Sequence, residues 1–198
     1  MNNQENSNRI SLKDQIIIIK KLEFEELIDA IRRERPNYIQ EFGNRLDKIT
    51  KVANNWYEAK ISNVVINNVI LPYHPRCQLS FFPRMLTHIH NQGELVPKYG
   101  MTVEETYHRL KQFEKQYNQR RSKCLQLIKK SNGKDLGHII LSQIPIHSIQ
   151  RHKKIRWNST SLIHLDGFHR LLSLYYPKKI KFDYVNCFLA SIDENLSN

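Results

Sequence analysis

Apolar residues recur along this chain at two different periods, and the period changes from segment to segment. In LEFEELIDAIRRE, Leu22, Phe24, Leu27, Ile28 and Ile31 fall near helical spacing, so an amphipathic helix is predicted that Pro36 ends near Arg35. Phe42, Leu46, Ile49, Val52 and Trp56 keep three- and four-residue spacing and predict a second helix from Pro36 to about Lys60. ISNVVINNVILPY, residues 61–73, is rich in valine and isoleucine and predicts a strand or short hairpin. HPRCQLSFFPRMLTHIHNQG, which follows, has no readable period.

A long helix is predicted from Thr102 to about Lys130. Thr102 and Glu105 match a capping box, no glycine or proline interrupts the run, and Val103, Tyr107, Leu110, Phe113, Tyr117, Cys124, Leu125 and Ile128 form an apolar stripe. SNGK, residues 131–134, ends it. The last third changes character. Short apolar runs at Ile139 to Leu141, Ile144 to Ile149 and Ser161 to Leu165 predict strands, GFHRLLSLYY predicts a helix, and Ile180 to Leu189 a final strand.

The elements predict an α/β (α+β) chain. One domain spans residues 10–198, with a mostly helical N-terminal half over 10–135 and a strand-rich core over 136–198, while the Asn-rich residues 1–9 are expected to be disordered. The 198 residues can bury a substantial core, and a 40% hydrophobic fraction argues against disorder or a fibrous class. The formal charge of +12 makes polyanions the expected partners, nucleic acid among them, although the cations occur in short dispersed clusters rather than one arm.

Cys77, Cys124 and Cys187 form no CxxC pair, which points away from zinc ribbons and disulfide frameworks and toward a reducing, cytoplasmic setting. The polar start and the short longest apolar run, Ile16 to Ile19, predict neither a signal peptide nor a membrane span.

Candidate chemistry concentrates in LIHLDGFHRLLSL, residues 162–174, where Asp166, His169 and Arg170 interrupt an apolar run. Read as strand, turn and helix start, Asp166 takes the N-cap and Gly167 permits a backbone conformation or close approach that a side chain would hinder. Free first-turn N–H groups and Arg170 then face an anion. A cation in a first helical turn opposes the helix dipole, so Arg170 is expected to bring some other benefit. The bland alternative is a capped helix with a satisfied histidine and an arginine in an ion pair.

The DGFHR segment resembles the DGxHR stretch of ParB/sulfiredoxin-like folds, and IPIHSI followed by Arg151 and Arg156 resembles an early strand of that fold. The resemblance spans about residues 140–190. Phe168 stands where sulfiredoxins carry a cysteine, and no helix-turn-helix follows as in ParB clamps. The free serine kinase-like branch matches best, at Asp166, His169 and Arg170.

It implies a nucleotide-dependent phosphotransferase acting on a small hydroxylated molecule such as an amino acid, with ATP or ADP and Mg²⁺. Asp166, His169 and Arg170 are the implied catalytic residues, and Gly167, Phe168, His169 and Arg170 the implied nucleotide-binding ones. The base is not placed by the resemblance; Glu94 and Asp135 are the candidates. The alternative is a non-catalytic nucleic-acid-binding or regulatory protein of ParB-like fold.

Three other groupings offer less. His164, Asp166 and His169 spell H-x-D-x-x-H, but no distal third ligand is identifiable. His88 with His90, and His74 with Cys77, lack further partners. No Walker-type loop, G-x-G-x-x-G or G-x-S-x-G occurs, so a nucleotide would be held by the DGFHR turn.

Overall fold

A computed structural model describes residues 15–36, 53–73, 96, 98–116, 123–131, 137–146, 149, 152–158, 161–174 and 183–191. Strand β1 (Ile16–Leu22) leads into helix α1 (Phe24–Glu34), then β2 (Asn55–Ser62), the short α2 (Asn63–Asn67), β3 (Ile70–Leu71) and β4 (Met101–Thr102). Helices α3 (Val103–Gln116) and α4 (Lys123–Ser131) follow, then β5 (Ile139–Ser142), β6 (Ile163–Asp166), α5 (Phe168–Ser173) and β7 (Tyr184–Ser191).

The strands form one mixed sheet in the order β1-β2-β7-β5-β6-β3-β4. Its longest ladder is antiparallel and runs from Asn55 opposite Ser191 to Ser62 opposite Tyr184. β5 lies parallel to β7 and antiparallel to β6, and β3 lies parallel to β6. The sheet therefore takes strands from both sides of residue 135.

Because successive strand residues point to opposite faces, the buried central strands feed two cores. Tyr57, Ala59, Ile61, Ile139, Leu141, Val185, Cys187 and Leu189 join the larger core, which α2 to α5 complete with Val65, Ile66, Val103, Leu110, Ile128, Leu171 and Leu172. Trp56, Ile140, Phe188 and Ala190 join the smaller one, completed by Leu27 and Ile31 of α1 with Ile146 and Ile149.

The mixed α/β class holds, and several expected elements fall where periodicity placed them. α1 matches the first predicted helix. The capping box of α3 is formed: the Thr102 N–H donates to Glu105 Oε2 (2.9 Å) and the Glu105 N–H to Thr102 Oγ1 (3.1 Å).

Other expectations give way. The helix predicted over 36–60 is a strand from Asn55 onward, and residues 37–52 lie outside the described residues. β2 has neighbours on both sides, β1 and β7, whose backbone pairing overrides its helical side-chain spacing. With β1, β2, β3 and β4 all preceding residue 103, the described part of the first half carries strands as well as helices.

The predicted strand or hairpin over 61–73 holds the end of β2, then α2, then the two residues of β3. Residues 144–146 of IPIHSI are not strand: Ser142 Oγ donates to the Ile144 carbonyl (2.7 Å), and His152 Nδ1 accepts from the Ile146 N–H (3.2 Å). The predicted 102–130 helix appears as α3 and α4, with 117–122 outside the described residues.

Candidate functional site

The DGFHR turn is strand-to-helix, as expected, but its parts act differently. Gly167, at φ 99° and ψ 24°, holds the N-cap position of α5, which corrects the assignment of that place to Asp166. The conformation is left-handed, and a Cβ there would lie 2.9 Å from Ile139 Cγ2 and 3.3 Å from Arg170 Nη2. Glycine is thus required twice over, by dihedral and by close approach.

Released from capping, the Asp166 carboxylate accepts from two arginines. Arg35 Nη1 lies 2.7 Å and Arg170 Nη2 2.9 Å from the same oxygen, Oδ2. The other ends of both guanidiniums donate to the carbonyl of His138, from Arg170 Nη1 at 2.8 Å and from Arg35 Nη2. Each planar fork therefore spans one carboxylate oxygen and one backbone oxygen. This is the benefit that offsets placing Arg170 against the dipole of a first helical turn.

His138 extends the cluster toward β2. Its N–H donates to Glu34 Oε2 (2.9 Å), its ring Nδ1 meets Glu34 Oε1, and its Nε2 lies 3.5 Å from Glu58 Oε1. The ring lies flat on Phe188, with centroids 4.3 Å apart and planes 10° apart. His138 Nε2 is buried and without a hydrogen bond, since the approach to Glu58 does not meet hydrogen-bond geometry.

The side chains of all six groups, Glu34, Arg35, Glu58, His138, Asp166 and Arg170, are between 16% and 33% exposed, so the cluster is part-buried rather than sealed in the core. With His138 neutral the six carry one net negative charge, and its protonation balances them.

The remaining predicted residues fall elsewhere. Phe168 is buried in the larger core, where its side chain packs. His169 stands edge-on to Phe168, with centroids 5.7 Å apart. His164 is also buried and edge-on to Phe168 at 6.2 Å. Among the described residues no group of three or more His, Cys, Asp or Glu is placed to hold a metal ion. His74, Cys77, His88, His90, Glu94 and Asp135 lie outside the described residues.

Sequence reasoning missed Glu34, Arg35, Glu58 and His138. The Asp166–Arg170 spacing of four residues, a standard reach for an ion pair, was the one available signal. The partners from α1 lie 131 and 104 positions away and leave no local trace.

A family model described as "Family of unknown function (DUF6309)" matches residues 17–193. No curated protein and no solved structure matches the chain.

Proposed function

The chain belongs to the DUF6309 family, described as one of unknown function, and from the geometry of the cluster and the resemblance of the DGFHR turn we propose a nucleotide-dependent phosphotransferase acting on a small hydroxylated molecule such as an amino acid. The observation that carries this reading is the double engagement of Asp166 Oδ2 by Arg35 and Arg170. Two guanidinium forks gathered on one carboxylate oxygen are the donor set that a phosphate needs, and Asp166 occupies the place of the anion. On this reading, phosphate enters by exchange: the forks leave Asp166 for the ligand, and the freed carboxylate orients the acceptor hydroxyl.

Glu58 and Glu34, with His138 between them, supply the proton acceptor that the resemblance left unplaced. Glu58 is the more exposed of the two and is our choice for the group that takes the hydroxyl proton; His138 relays or balances its charge. On this reading, His169 and the backbone at Gly167 contact the nucleotide phosphates. The ordered run of β6, turn, α5 and β7 supports a ParB/sulfiredoxin-like core over the C-terminal part. Among the described residues no group of three or more His, Cys, Asp or Glu is placed to hold Mg²⁺, and no step is routed through the metal.

Isothermal titration with ATP, ADP and CTP, with and without Mg²⁺, tests the reading. Binding of at least one nucleotide is expected, tightened in Asp166→Asn, where the forks are no longer held by a charge, and lost in Arg170→Ala. Phosphoryl transfer to small hydroxylated acceptors, followed by phosphorus NMR, should fail in Asp166→Asn and in Glu58→Gln. No nucleotide binding in either wild type or Asp166→Asn overturns the proposal. The other reading, a non-catalytic nucleic-acid-binding protein, is favoured by the +12 charge and by exposed cations remote in sequence from this cluster.

A further inference from the structure

A second surface stands on two loops that the cluster does not use. In the loop before β4, Lys98 and Tyr99 are exposed; in the loop before β6, Lys153, Lys154, Arg156 and Trp157 are exposed. The loops are joined. The Arg156 N–H donates to the Tyr99 carbonyl (3.0 Å), and the Arg156 guanidinium lies over the Tyr99 ring, 4.9 Å from its centroid. Between them Gly100, at φ 83°, lets the first loop press onto its neighbours: a Cβ there would meet Ile70 Cγ2 at 2.9 Å and Ile155 Cγ1 at 3.7 Å.

The second loop is held from within. Buried His152 accepts from the Ile146 N–H, the Ile155 N–H donates to the His152 carbonyl (3.2 Å), and Trp157 Nε1 donates to the Ser161 carbonyl (3.1 Å). The result is a pre-ordered surface of four cations and two aromatic rings. Residues 98–100 and 152–158 contain no Asp or Glu, and no ion pair is formed by Lys98, Lys153, Lys154 or Arg156 among the described residues.

We infer that Lys98, Tyr99, Lys153, Lys154, Arg156 and Trp157 form a docking surface for single-stranded nucleic acid. Cations without carboxylate partners attract a phosphate backbone, and an exposed ring anchored at its edge offers a face on which an unpaired base stacks. Trp157 is 38% exposed and Tyr99 46%, enough surface for a base to cover. Among the described residues of these loops, 98–100 and 152–158, there is no α-helix or two-stranded ribbon to enter a duplex groove, which favours unpaired over paired strands.

A membrane surface fits less well. Its aromatic anchors keep a polar edge for the headgroups amid a continuous apolar face, whereas Trp157 has its N–H already bonded to the protein and stands between exposed Arg156 and Asn158.

Fluorescence anisotropy with labelled oligouridine and oligodeoxythymidine of about twelve nucleotides tests the inference. Binding to one or both is expected, with a slope of log affinity on log salt of about −3, from roughly 0.7 per phosphate neutralised by the four cations. Trp157→Ala should weaken binding about tenfold, and Trp157→Phe should restore most of it. The buried second tryptophan, Trp56, leaves Trp157 as the emitter that bound bases quench.

Because the whole chain is basic, Lys153→Glu/Lys154→Glu is compared with Lys21→Glu/Lys130→Glu, which removes the same charge elsewhere; only the first pair should weaken binding by about tenfold or more. Equal weakening by both pairs, no binding to either oligonucleotide, or binding to phosphatidylserine vesicles without oligonucleotide binding each overturns the inference. None of these outcomes depends on the nucleotide titration at Arg170.

Discussion

On one face of the sheet, Tyr57, Leu141, Cys187 and Leu189 pack with side chains of four helices; on the other, Trp56, Ile140 and Phe188 pack, among the described residues, with Leu27 and Ile31 of α1 and with Ile146 and Ile149, and the same face carries Glu58, His138, Arg35 and Asp166. Adjacent residues of the same strands build both, since strand side chains alternate. The difference comes from what covers them. Among the described residues, α2 to α5 close the first face with apolar side chains, whereas α1 is the one helix on the second, and at its end, Arg35, begin groups that satisfy one another's charge. The first face is expected to set stability and the second to set chemistry, and substitutions on the two should separate accordingly.

The largest effect is expected from Leu141→Ala, which empties part of the thick core next to fully buried Leu189 and Cys187. A loss of about 3 kcal/mol is expected from urea unfolding, with ligand binding by the folded fraction unchanged. Cys187 gives a second readout. Burial pushes its thiol far above the usual range, so in a Cys77→Ser/Cys124→Ser background it should resist thiol reagents until the core opens, and label faster once Leu141 is truncated.

On the second face, Asp166→Ala should cost less, about 2 kcal/mol, because the two guanidiniums it strands retain access to water. A double-mutant cycle of Asp166→Ala with Arg35→Ala should show coupling of about 1 kcal/mol. If Asp166→Ala destabilises more than Leu141→Ala, the cluster is chiefly a structural clamp and the division between the faces fails.

Gly167→Ala lies where the faces meet. It should cost about 1–2 kcal/mol from the left-handed dihedral and the contact with Ile139, and it should weaken nucleotide binding by displacing Arg170. A loss of stability with unaltered binding would show that Gly167 serves the fold alone.

What could be read from the sequence follows the same division between local and distant causes. α1, the capping box of α3 and the β6–Gly167–α5 turn were legible because each is set within a few residues: periodicity, Thr102 with Glu105, a glycine between strand and helix. β2 was read as helix because Val52 and Trp56 kept helical spacing, and only partners on both sides show it to be strand. The cluster was half legible. Asp166 and Arg170 are one helical reach apart, but Arg35, Glu34 and His138 join them only once the sheet has brought α1 beside β5 and β6. Capping by Asp166 was the wrong local choice because a distant arginine competes for the same carboxylate.

The smallest effect is expected at the exposed Lys20–Glu26 pair between β1 and α1. The Lys20 ammonium, and after it the Glu23 N–H, hold the Glu26 carboxyl below the usual carboxylate range. The folded form thus favours the ionised group, so its contribution is present above the unfolded carboxylate value and lost as pH falls through the lower folded one. Both side chains are well exposed, and solvent screens the pair. Lys20→Met should move the Glu26 titration, followed by NMR, back toward the ordinary value while leaving the unfolding midpoint at neutral pH unchanged. A clear loss of neutral-pH stability would mean that the joint between β1 and α1 rests on this pair, and that the thin face depends on charge even where it touches no candidate chemistry.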